Sequence, residues 1–208
     1  MARPKQERAI RTKELILQAA AEVFDQYGYA GTTISRILER AGSTQGAMYF
    51  HFKAKEDLAR AVIVNQAQGL KLPAEPAGLQ QLVDVTLLLA FELQSNVLLR
   101  AGVRLAVEQE ESGLNEYSVY EWWIEQFHRE LETARAHGEL LPDVDAAEFA
   151  RVLVASFTGT QVMSQIATGR ADLPDRIAAL WRYLLPGLAP AEVRERLVVD
   201  VERGRTPA

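Results

Sequence analysis

Two short helical segments joined by a glycine-containing turn constrain this sequence more than any other feature. The first is predicted to follow a cap at Thr32 or Thr33, because a threonine hydroxyl can accept a hydrogen bond from the first turn of a helix. Ala41-Gly42 ends it, and Ser43 or Thr44 is expected to cap the second. This spacing is typical of a helix-turn-helix, whose second helix enters the major groove of DNA. The apolar face of the first segment is formed by Ile34, Ile37, Leu38 and Ala41.

A longer helix is predicted before this pair, from Thr12 to Gly28. Leu15, Ala19 and Val23 fall on one stripe at helical spacing, and Gly28 suits a left-handed C-cap because it has no β-carbon. Residues 1–11 carry four Lys/Arg and no apolar face at their start. They are predicted to be either a basic arm that reaches phosphate or a minor groove, or a frayed terminus.

The rest of the sequence is predicted to be helical. No stretch alternates polar and apolar residues for long, and no Val/Ile-rich run is bounded by turns. A connecting helix is expected over 54–70, and Pro73 and Pro76 then break the chain, so a domain boundary is placed in 67–76. The fold class is therefore all-α, with about nine or ten helices. Further helices are expected over 79–94, 98–110, 117–137, 146–167, 173–185 and 190–202, with loose residues from 204 onward.

The charge is distributed unevenly along the sequence. The net charge is −5, yet residues 1–60 hold ten Lys/Arg against seven Asp/Glu, a net of +3, and the remainder carries −8. A basic head on an acidic body suits a protein that touches phosphate with one end only. The sequence has no run of about 18 apolar residues, so neither a membrane span nor a membrane partner is expected.

The sequence offers no catalytic or metal-binding constellation. It has no cysteine, which excludes disulfides and thiolate metal sites, and its three histidines, His51, His128 and His137, do not cluster. It contains no HExxH, glycine-rich phosphate loop or Gly-x-Ser-x-Gly motif. We therefore expect no catalytic residue, no metal and no cofactor, and a protein that is not an enzyme.

Many residues at fixed spacing over 12–58 resemble the DNA-binding head of TetR family transcriptional regulators. The matching segments are Ile-Leu-Gln-Ala-Ala-Ala-Glu-Val-Phe in the first helix, Tyr-Gly-Tyr-Ala-Gly-Thr-Thr before the second, and Gly-Ala-Met-Tyr-Phe-His-Phe-Lys-Ala-Lys-Glu-Asp-Leu in and after the third. The resemblance implies a three-helix DNA-binding domain over residues 1–53. It implies a helical ligand-binding and dimerisation domain over 54–208.

Shorter motifs resemble the γ-butyrolactone receptor branch, the autoregulator receptors of antibiotic-producing actinomycetes. They include Leu99-Arg-Ala-Gly-Val-Arg-Leu-Ala, Glu121-Trp122 and Phe157-Thr-Gly-Thr-Gln. The resemblance implies that Trp122 stacks on a lactone, that Thr160 bonds its carbonyl and that Gln66 couples the pocket to the head. Taken alone, the residues leave other roles open: plain core for Trp122, a bond to its own helix for Thr160 and a solvent-facing position for Gln66.

The third helix and its surroundings are predicted to contact DNA. Glutamine can make two hydrogen bonds to adenine, and a threonine methyl can touch a thymine methyl. Most relatives in the receptor branch carry lysine where this chain has Gln45, so binding should depend less on salt, by about one phosphate, if that lysine contacts phosphate. Phe50 and Phe52 are expected in the core. The predicted DNA contacts are Arg11, Thr33, Ser43, Thr44, Gln45, Gly46, Tyr49, His51 and Lys55.

The resemblance implies a homodimeric repressor in the cytoplasm, associated with the nucleoid when bound to DNA. A small diffusible lactone-like ligand would release it from pseudo-palindromic double-stranded operator DNA, controlling antibiotic production or its own gene. Two alternatives stay open: a pseudo-receptor that answers an antibiotic or biosynthetic intermediate, and a small-molecule binding protein without operator specificity. The dimer is expected to form through the helices at 146–167 and 173–185, with apolar faces from Phe149, Leu153, Phe157, Leu180, Trp181 and Leu184.

Overall fold

The protein folds into helices throughout the part of the chain that the computed structural model describes. That part comprises residues 3–67, 70, 72, 77–108 and 119–205, with side chains from residue 6 onward. It contains ten α-helices and no strand, which confirms the predicted all-α class. The helices are α1 (Arg3–Gly31), α2 (Ile34–Ala41), α3 (Gln45–His51), α4 (Lys55–Asn65), α5 (Leu79–Ser95), α6 (Val97–Val107), α7 (Val119–Ala136), α8 (Ala146–Thr168), α9 (Leu173–Leu184) and α10 (Ala191–Arg194).

Helix α1 begins well before the predicted start at Thr12, so the expectation of a basic arm over residues 1–11 is wrong from Arg3 onward. The segment has no glycine and is rich in residues with high helix propensity, and proline is tolerated at a helix start. Near the other end, Gly28 has φ 69° and ψ −177°, which kinks the helix. Glycine adopts that conformation readily. The predicted break therefore falls at Gly28, but the expected left-handed C-cap is wrong, since ψ is −177° and α1 resumes as far as Gly31.

The helix-turn-helix is capped at the predicted residues. The Thr33 hydroxyl accepts a hydrogen bond from the Arg36 amide at 3.3 Å at the start of α2. Gly42 follows α2 in the left-handed region, with φ 56°, where a β-carbon would be strained. The Thr44 hydroxyl then accepts from the Ala47 amide at 3.3 Å and begins α3. These local interactions set the direction in which α3 leaves the turn.

The first of two compact units contains residues 1–69 and 96–119, so it joins α6 to the helix-turn-helix and α4. Its core is continuous: Ile16 and Phe24 of α1, Met48 of α3, Leu58 of α4 and Leu105 of α6 belong to one buried cluster. The sequence placed α6 with the ligand-binding body. The assignment of residues 1–53 and 54–208 to two functional domains stays a prediction, and its expected boundary at 67–76 lies largely outside the described residues.

The second compact unit contains residues 70–95 and 120–208. Its central helix, α5, is buried along nearly its whole length. Trp181 of α9 is fully buried, and its indole nitrogen donates to the Thr86 hydroxyl of α5 at 2.7 Å. Trp123 of α7 is also buried and contacts Phe127. Both tryptophans therefore lie in the core of this unit.

The C-terminal segment differs from its prediction. Only Ala191–Arg194 of the expected helix over 190–202 is α-helical. The chain then follows α5, where the Gln80 side chain donates to the Val198 carbonyl and accepts from the Val198 amide, at 3.0 and 2.8 Å. Arg203 pairs with Asp84 through both carboxylate oxygens, and Gly204 is buried against the Leu87 backbone. These contacts take the place of helical hydrogen bonds. Residues 204 and 205, which were expected to be loose, are therefore ordered, and residues 206–208 lie outside the described part of the chain.

No single helix in the described part of the chain is long and apolar enough to cross a membrane. Leu79–Ser95 and Val97–Val107 together have the length and composition of a bent span, which buried core helices of globular proteins also have.

Candidate nucleic-acid interface

Helix α3 presents a polar, exposed surface from a firmly anchored backbone. Met48 is fully buried in the core of the first unit. Thr44, Gln45, Gly46 and Tyr49 are exposed on the same short helix. A β-carbon on Gly46 would meet no atom within 4 Å, so this side of the helix is open to a close approach. The arrangement offers an amide, a hydroxyl and a phenol to the edges of bases and to phosphates.

The two phenylalanines after Tyr49 have different environments. Phe52 is buried, as expected, at the C-terminal end of α3. Phe50 is 78% exposed, so its predicted core position is wrong. It precedes His51 on the outward side of the helix, and the two rings meet edge to face with their centroids 4.9 Å apart. The seven-residue helix has room for only one inward stripe, and Met48 and Phe52, four residues apart, occupy it.

The remaining predicted DNA contacts lie at several places on the first unit. Arg11 is exposed on α1, in the region expected to be an arm. Ser43 is half-buried in the turn, where its amide donates to the Leu38 carbonyl at 3.1 Å. His51 is half-buried at the last position of α3. Thr33 is exposed, and although its hydroxyl accepts the capping hydrogen bond, its own proton can still be donated to a phosphate oxygen.

Lys55 has an intramolecular role that the sequence did not indicate. Its ammonium donates to the Tyr29 carbonyl at 3.0 Å and to the Thr32 carbonyl at 3.2 Å. It also lies 4.1 Å from the centroid of the Tyr29 ring. An ammonium has three N–H donors, so two bind the turn between α1 and α2 and one remains for the predicted phosphate contact. Lys55 therefore fixes the backbone that leads into Thr33.

The Tyr29 side chain fastens the same turn to the start of α4. Its hydroxyl donates to the Glu56 carboxylate at 2.8 Å. Burial, together with that hydrogen bond, raises the pKa of Tyr29 to about 12. The backbone amide of Glu56 and the Tyr29 hydroxyl lower the pKa of the Glu56 carboxyl. At neutral pH the pair is therefore a neutral phenol donating to a carboxylate, which is a strong hydrogen bond.

Charged side chains of α6 and of its C-cap residue, Glu108, bind the C-terminal part of α1. Arg100 donates to the Asp25 carboxylate at 2.9 Å, and Arg104 donates to the Asp25 backbone carbonyl at 2.7 Å. Glu108 accepts from Arg104 at 2.8 Å and from the Tyr29 backbone amide at 2.8 Å. Arg100 and Arg104 therefore form a salt-bridged face toward α1. Nothing in the sequence indicates these contacts or the role of Glu108.

The predicted ligand contact Gln66 lies in the first unit, immediately after α4. Its side chain is buried, so the solvent-facing alternative is wrong. Neither amide atom has a hydrogen-bond partner among the described residues. Gly102 of α6 lies directly against it, since a β-carbon there would lie 2.5 Å from Gln66 Cβ. A buried amide without partners is uncommon, and it marks a position at which a polar ligand group would be favourable.

The other two predicted ligand contacts lie in the second unit. Trp122 is 43% exposed on α7, and its ring meets the buried Trp123 edge to face, with centroids 4.7 Å apart. It is therefore not plain core, and much of its ring is available to a ligand. Thr160 is half-buried on α8, and its hydroxyl makes no hydrogen bond within the described part of the chain. The alternative of a bond to its own helix is thus not seen.

The structure excludes only part of the apolar set expected on the dimer helices, since Phe149, Phe157, Leu180 and Leu184 are half-buried. Leu153 and Trp181 are fully buried within the second unit, so their assignment to an intersubunit face is wrong. The 3.6-residue period gives both helices a second apolar side, which the sequence alone does not distinguish from the core-facing one. The large apolar side chains exposed there are Val152, Met163 and Ile166 of α8 and Tyr183 of α9.

Two protein-family models match this chain. Residues 16–62 match the model described as bacterial regulatory proteins, tetR family. Residues 76–190, more than half of the chain, match the tetracyclin repressor-like C-terminal domain. The chain belongs to the TetR family. This TetR family protein is therefore a regulator and not an enzyme, which confirms the expectation drawn from its motifs.

Individual relatives point to one branch of the family. The A-factor receptor protein of Streptomyces griseus is 43% identical over 187 residues, a match that covers 89% of this chain and 66% of that protein, slightly under two thirds of its length. The crystal structure of TylP, a TetR regulator from Streptomyces fradiae, has a TM-score of 0.86 and 43% identity and covers 96% of this chain and 97% of TylP. A γ-butyrolactone receptor described as ArpA-like has a TM-score of 0.74 and 31% identity, covering 95% of this chain and 97% of the receptor.

Proposed function

We propose that this protein is a homodimeric repressor that binds a pseudo-palindromic operator and leaves it when a γ-butyrolactone-like, butenolide or furan signal binds. The observation that carries the proposal is the anchored α3, which exposes Thr44, Gln45 and Tyr49 while Met48 fixes it to the core. A rigid helix that presents a few polar side chains is what major-groove reading requires. The similarity to the A-factor receptor protein and to a γ-butyrolactone receptor supports the ligand class.

The DNA contacts follow from side-chain chemistry. Gln45 is assigned to a base edge, where its amide can donate and accept at adenine, and Thr44 to a neighbouring base or phosphate. Tyr49, Thr33 and the third N–H of Lys55 are assigned to phosphates. These positioning contacts carry no sequence information, so Gln45 is the residue on which operator choice depends most. The same surface includes Arg11, Ser43, Gly46 and His51.

The ligand contacts are assigned to Gln66, Trp122 and Thr160. A lactone carbonyl accepts hydrogen bonds, and a hydroxyl on its side chain donates one, so such a ligand would satisfy both halves of the Gln66 amide. The exposed part of the Trp122 ring offers an aromatic face to the lactone ring. The half-buried Thr160 hydroxyl offers a further donor to a carbonyl.

The proposal assigns residues 1–53 to DNA binding and residues 54–208 to ligand binding and dimerisation. The exposed apolar residues of α8 and α9 are the proposed dimer face, since two such helices from each protomer form a four-helix interface in this family. A two-fold dimer requires operator half-sites separated by one or more helical turns of DNA. Its site of action is the cytoplasm, and in the DNA-bound state the nucleoid.

The experiment that tests the proposal has two stages. Duplexes from the region upstream of the gene are first exposed to the purified dimer, and protection from DNase is mapped. The expected result is a protected pseudo-palindrome whose affinity falls at least tenfold for Gln45→Ala, with retained weak binding to unrelated DNA. Thermal shift and release from the mapped duplex are then measured with alkyl γ-butyrolactones, butenolides and furans.

Two other outcomes identify the alternatives. Protection without release by any of these compounds, but with release by an antibiotic or biosynthetic intermediate, would identify a pseudo-receptor. No protected palindrome, together with a thermal shift by a lactone, would identify a small-molecule binding protein without operator specificity. The footprint therefore tests DNA binding, and the release measurement separately tests the ligand class.

A further inference from the structure

Residues 28–33, the kinked end of α1 and the link to α2, form a turn that leads directly into Thr33, the proposed phosphate contact at the start of α2. The turn is short and begins at the kink, so its backbone conformation is set by the groups that bind it. The Thr32 hydroxyl donates to the Gly28 carbonyl at 2.6 Å from within the turn. Arg36 of α2 donates to the Gly31 carbonyl at 3.1 Å. Further fixed points come from residues distant in sequence, in α4 and at the end of α6.

Helix α4 holds one side of the turn. Lys55 binds the carbonyls of Tyr29 and Thr32, and Glu56 accepts from the Tyr29 hydroxyl. These contacts satisfy two backbone carbonyls of the turn and the Tyr29 hydroxyl. They leave the Tyr29 backbone amide, a donor that must be satisfied from elsewhere.

Helix α6 supplies that acceptor. Glu108 Oε2 accepts from the Tyr29 amide at 2.8 Å, and Glu108 Oε1 accepts from Arg104 Nε at 2.8 Å. Arg104 in turn donates to the Asp25 carbonyl at 2.7 Å, so both ends of the side-chain pair are attached to α1. Space here is tight: a β-carbon on Gly28 would lie 2.7 Å from Arg104 and 2.8 Å from Glu108.

We propose that Glu108 is a positioning residue for operator binding: it acts through the Tyr29 amide to hold the turn that presents Thr33 to DNA. The proposal rests on the proposed repressor function. It extends the DNA-binding machinery to the C-cap residue of α6, which lies 75 positions beyond Thr33 in the sequence. Glu108 does not itself touch DNA in this assignment, since a carboxylate repels phosphate.

Because Glu108 is charged, a positioning role and a purely electrostatic role predict opposite changes in operator affinity when it is removed. Loss of a carboxylate makes the head unit more positive, so electrostatics alone predicts tighter binding to all DNA. A positioning role predicts weaker binding to the operator, because the turn loses its anchor. An ordinary i,i+4 surface ion pair between Arg104 and Glu108 would contribute little to stability and nothing to operator choice.

The test compares Glu108→Ala and Glu108→Gln with the wild-type dimer on the footprinted duplex and on a scrambled duplex of equal length. The glutamine variant keeps an oxygen for the Tyr29 amide but loses the charge that binds Arg104. Glu125→Ala is the matched control, because it removes another i,i+4 Arg–Glu pair, with Arg129, that does not touch the turn. Thermal unfolding and hydrogen exchange at the Tyr29 amide are measured in parallel.

The expected result for Glu108→Ala is about tenfold weaker operator binding, which corresponds to about 1.4 kcal/mol, with unchanged or tighter binding to the scrambled duplex. Exchange of the Tyr29 amide should accelerate, and Glu108→Gln should be intermediate in both measurements. Operator binding as tight as in the wild type overturns the proposal, as does an equal loss on both duplexes that follows a lower unfolding temperature. Absence of operator binding by the wild type instead refutes the proposed function, and unchanged Tyr29 exchange in the variants would then overturn the positioning role independently.

Discussion

Replacing Gly102 by alanine should force α4 and α6 apart, although alanine is the better helix former. Gly102 lies in the middle of α6, and the added β-carbon would sit 2.5 Å from Gln66 Cβ, 2.6 Å from Gln66 Oε1 and 2.9 Å from Gln66 Cδ. Ordinary contacts begin at 3.4 Å, so the closest pair must separate by about 0.9 Å. Because Cβ is fixed to the backbone, rotation of the side chain cannot relieve that contact.

The magnitude follows from two opposing terms. Overpacking of a buried contact costs about 1–3 kcal/mol, and alanine in place of glycine within a helix contributes about 1 kcal/mol of stability. The net destabilisation should be about 1 kcal/mol, which lowers the unfolding temperature by about 2–4 °C in a chain of this size. Displacement of α4 also moves Lys55 and Glu56, which hold the turn before Thr33, so operator affinity should fall as well.

The assay is thermal unfolding combined with operator titration, with two controls. Gly187→Ala adds a β-carbon where no atom lies within 4 Å and should leave both readouts unchanged or raise stability. The exchange variant Gln66→Gly with Gly102→Ala removes every atom of the clash and should recover operator affinity. A higher unfolding temperature for Gly102→Ala alone, with wild-type affinity, would refute the steric reasoning.

Three further predictions address other parts of the protein. Trp122→Ala should weaken binding of an alkyl γ-butyrolactone at least tenfold by isothermal titration, whereas the buried Trp123→Phe should retain it; equal losses would remove Trp122 from the pocket. The Ser164 hydroxyl is foremost among the groups that lower the pKa of Asp172 from 3.8 to about 2, so the ionised carboxylate stabilises the fold above pH 4 and this contribution is lost as the pH falls toward 2. Asp172→Asn should therefore flatten acid unfolding in that window, and an unchanged profile would contradict the assignment. Met163→Glu should convert the dimer into monomers in sedimentation velocity, because it places a charge on the proposed dimer face; a persistent dimer would place the interface elsewhere.

The helix-turn-helix was predictable because its determinants are local. Thr33, Gly42 and Thr44 act on residues within one helical turn, so residue type and spacing were sufficient to place both caps. Residues 3–11 show the opposite case: their charge predicts a basic arm, but the same residues have good helix propensity and form the start of α1. Charge describes the surface of such a segment and does not determine its backbone.

Contacts between residues distant in sequence were not predictable from this single sequence. Nothing in the pattern around Glu108 indicates that it accepts from the Tyr29 amide 79 positions earlier. The C-terminal segment was predicted as a helix because its apolar spacing fits one, yet Gln80 and Asp84 provide competing partners along α5. Tertiary hydrogen bonds of this kind override a weak local preference.

The buried Gln66 amide links stability to the proposed function. An unsatisfied buried polar group costs about 1–3 kcal/mol. In the proposed assignment, a ligand that supplies a donor and an acceptor to the Gln66 amide would offset that cost, so part of its affinity would come from these two hydrogen bonds. In the proposed assignment the ligand would lie beside the contact of Gln66 with Gly102, where the clearance is minimal. Its affinity would then depend on the spacing of α4 from α6, and such a dependence is what coupling between a ligand site and the DNA-binding head requires.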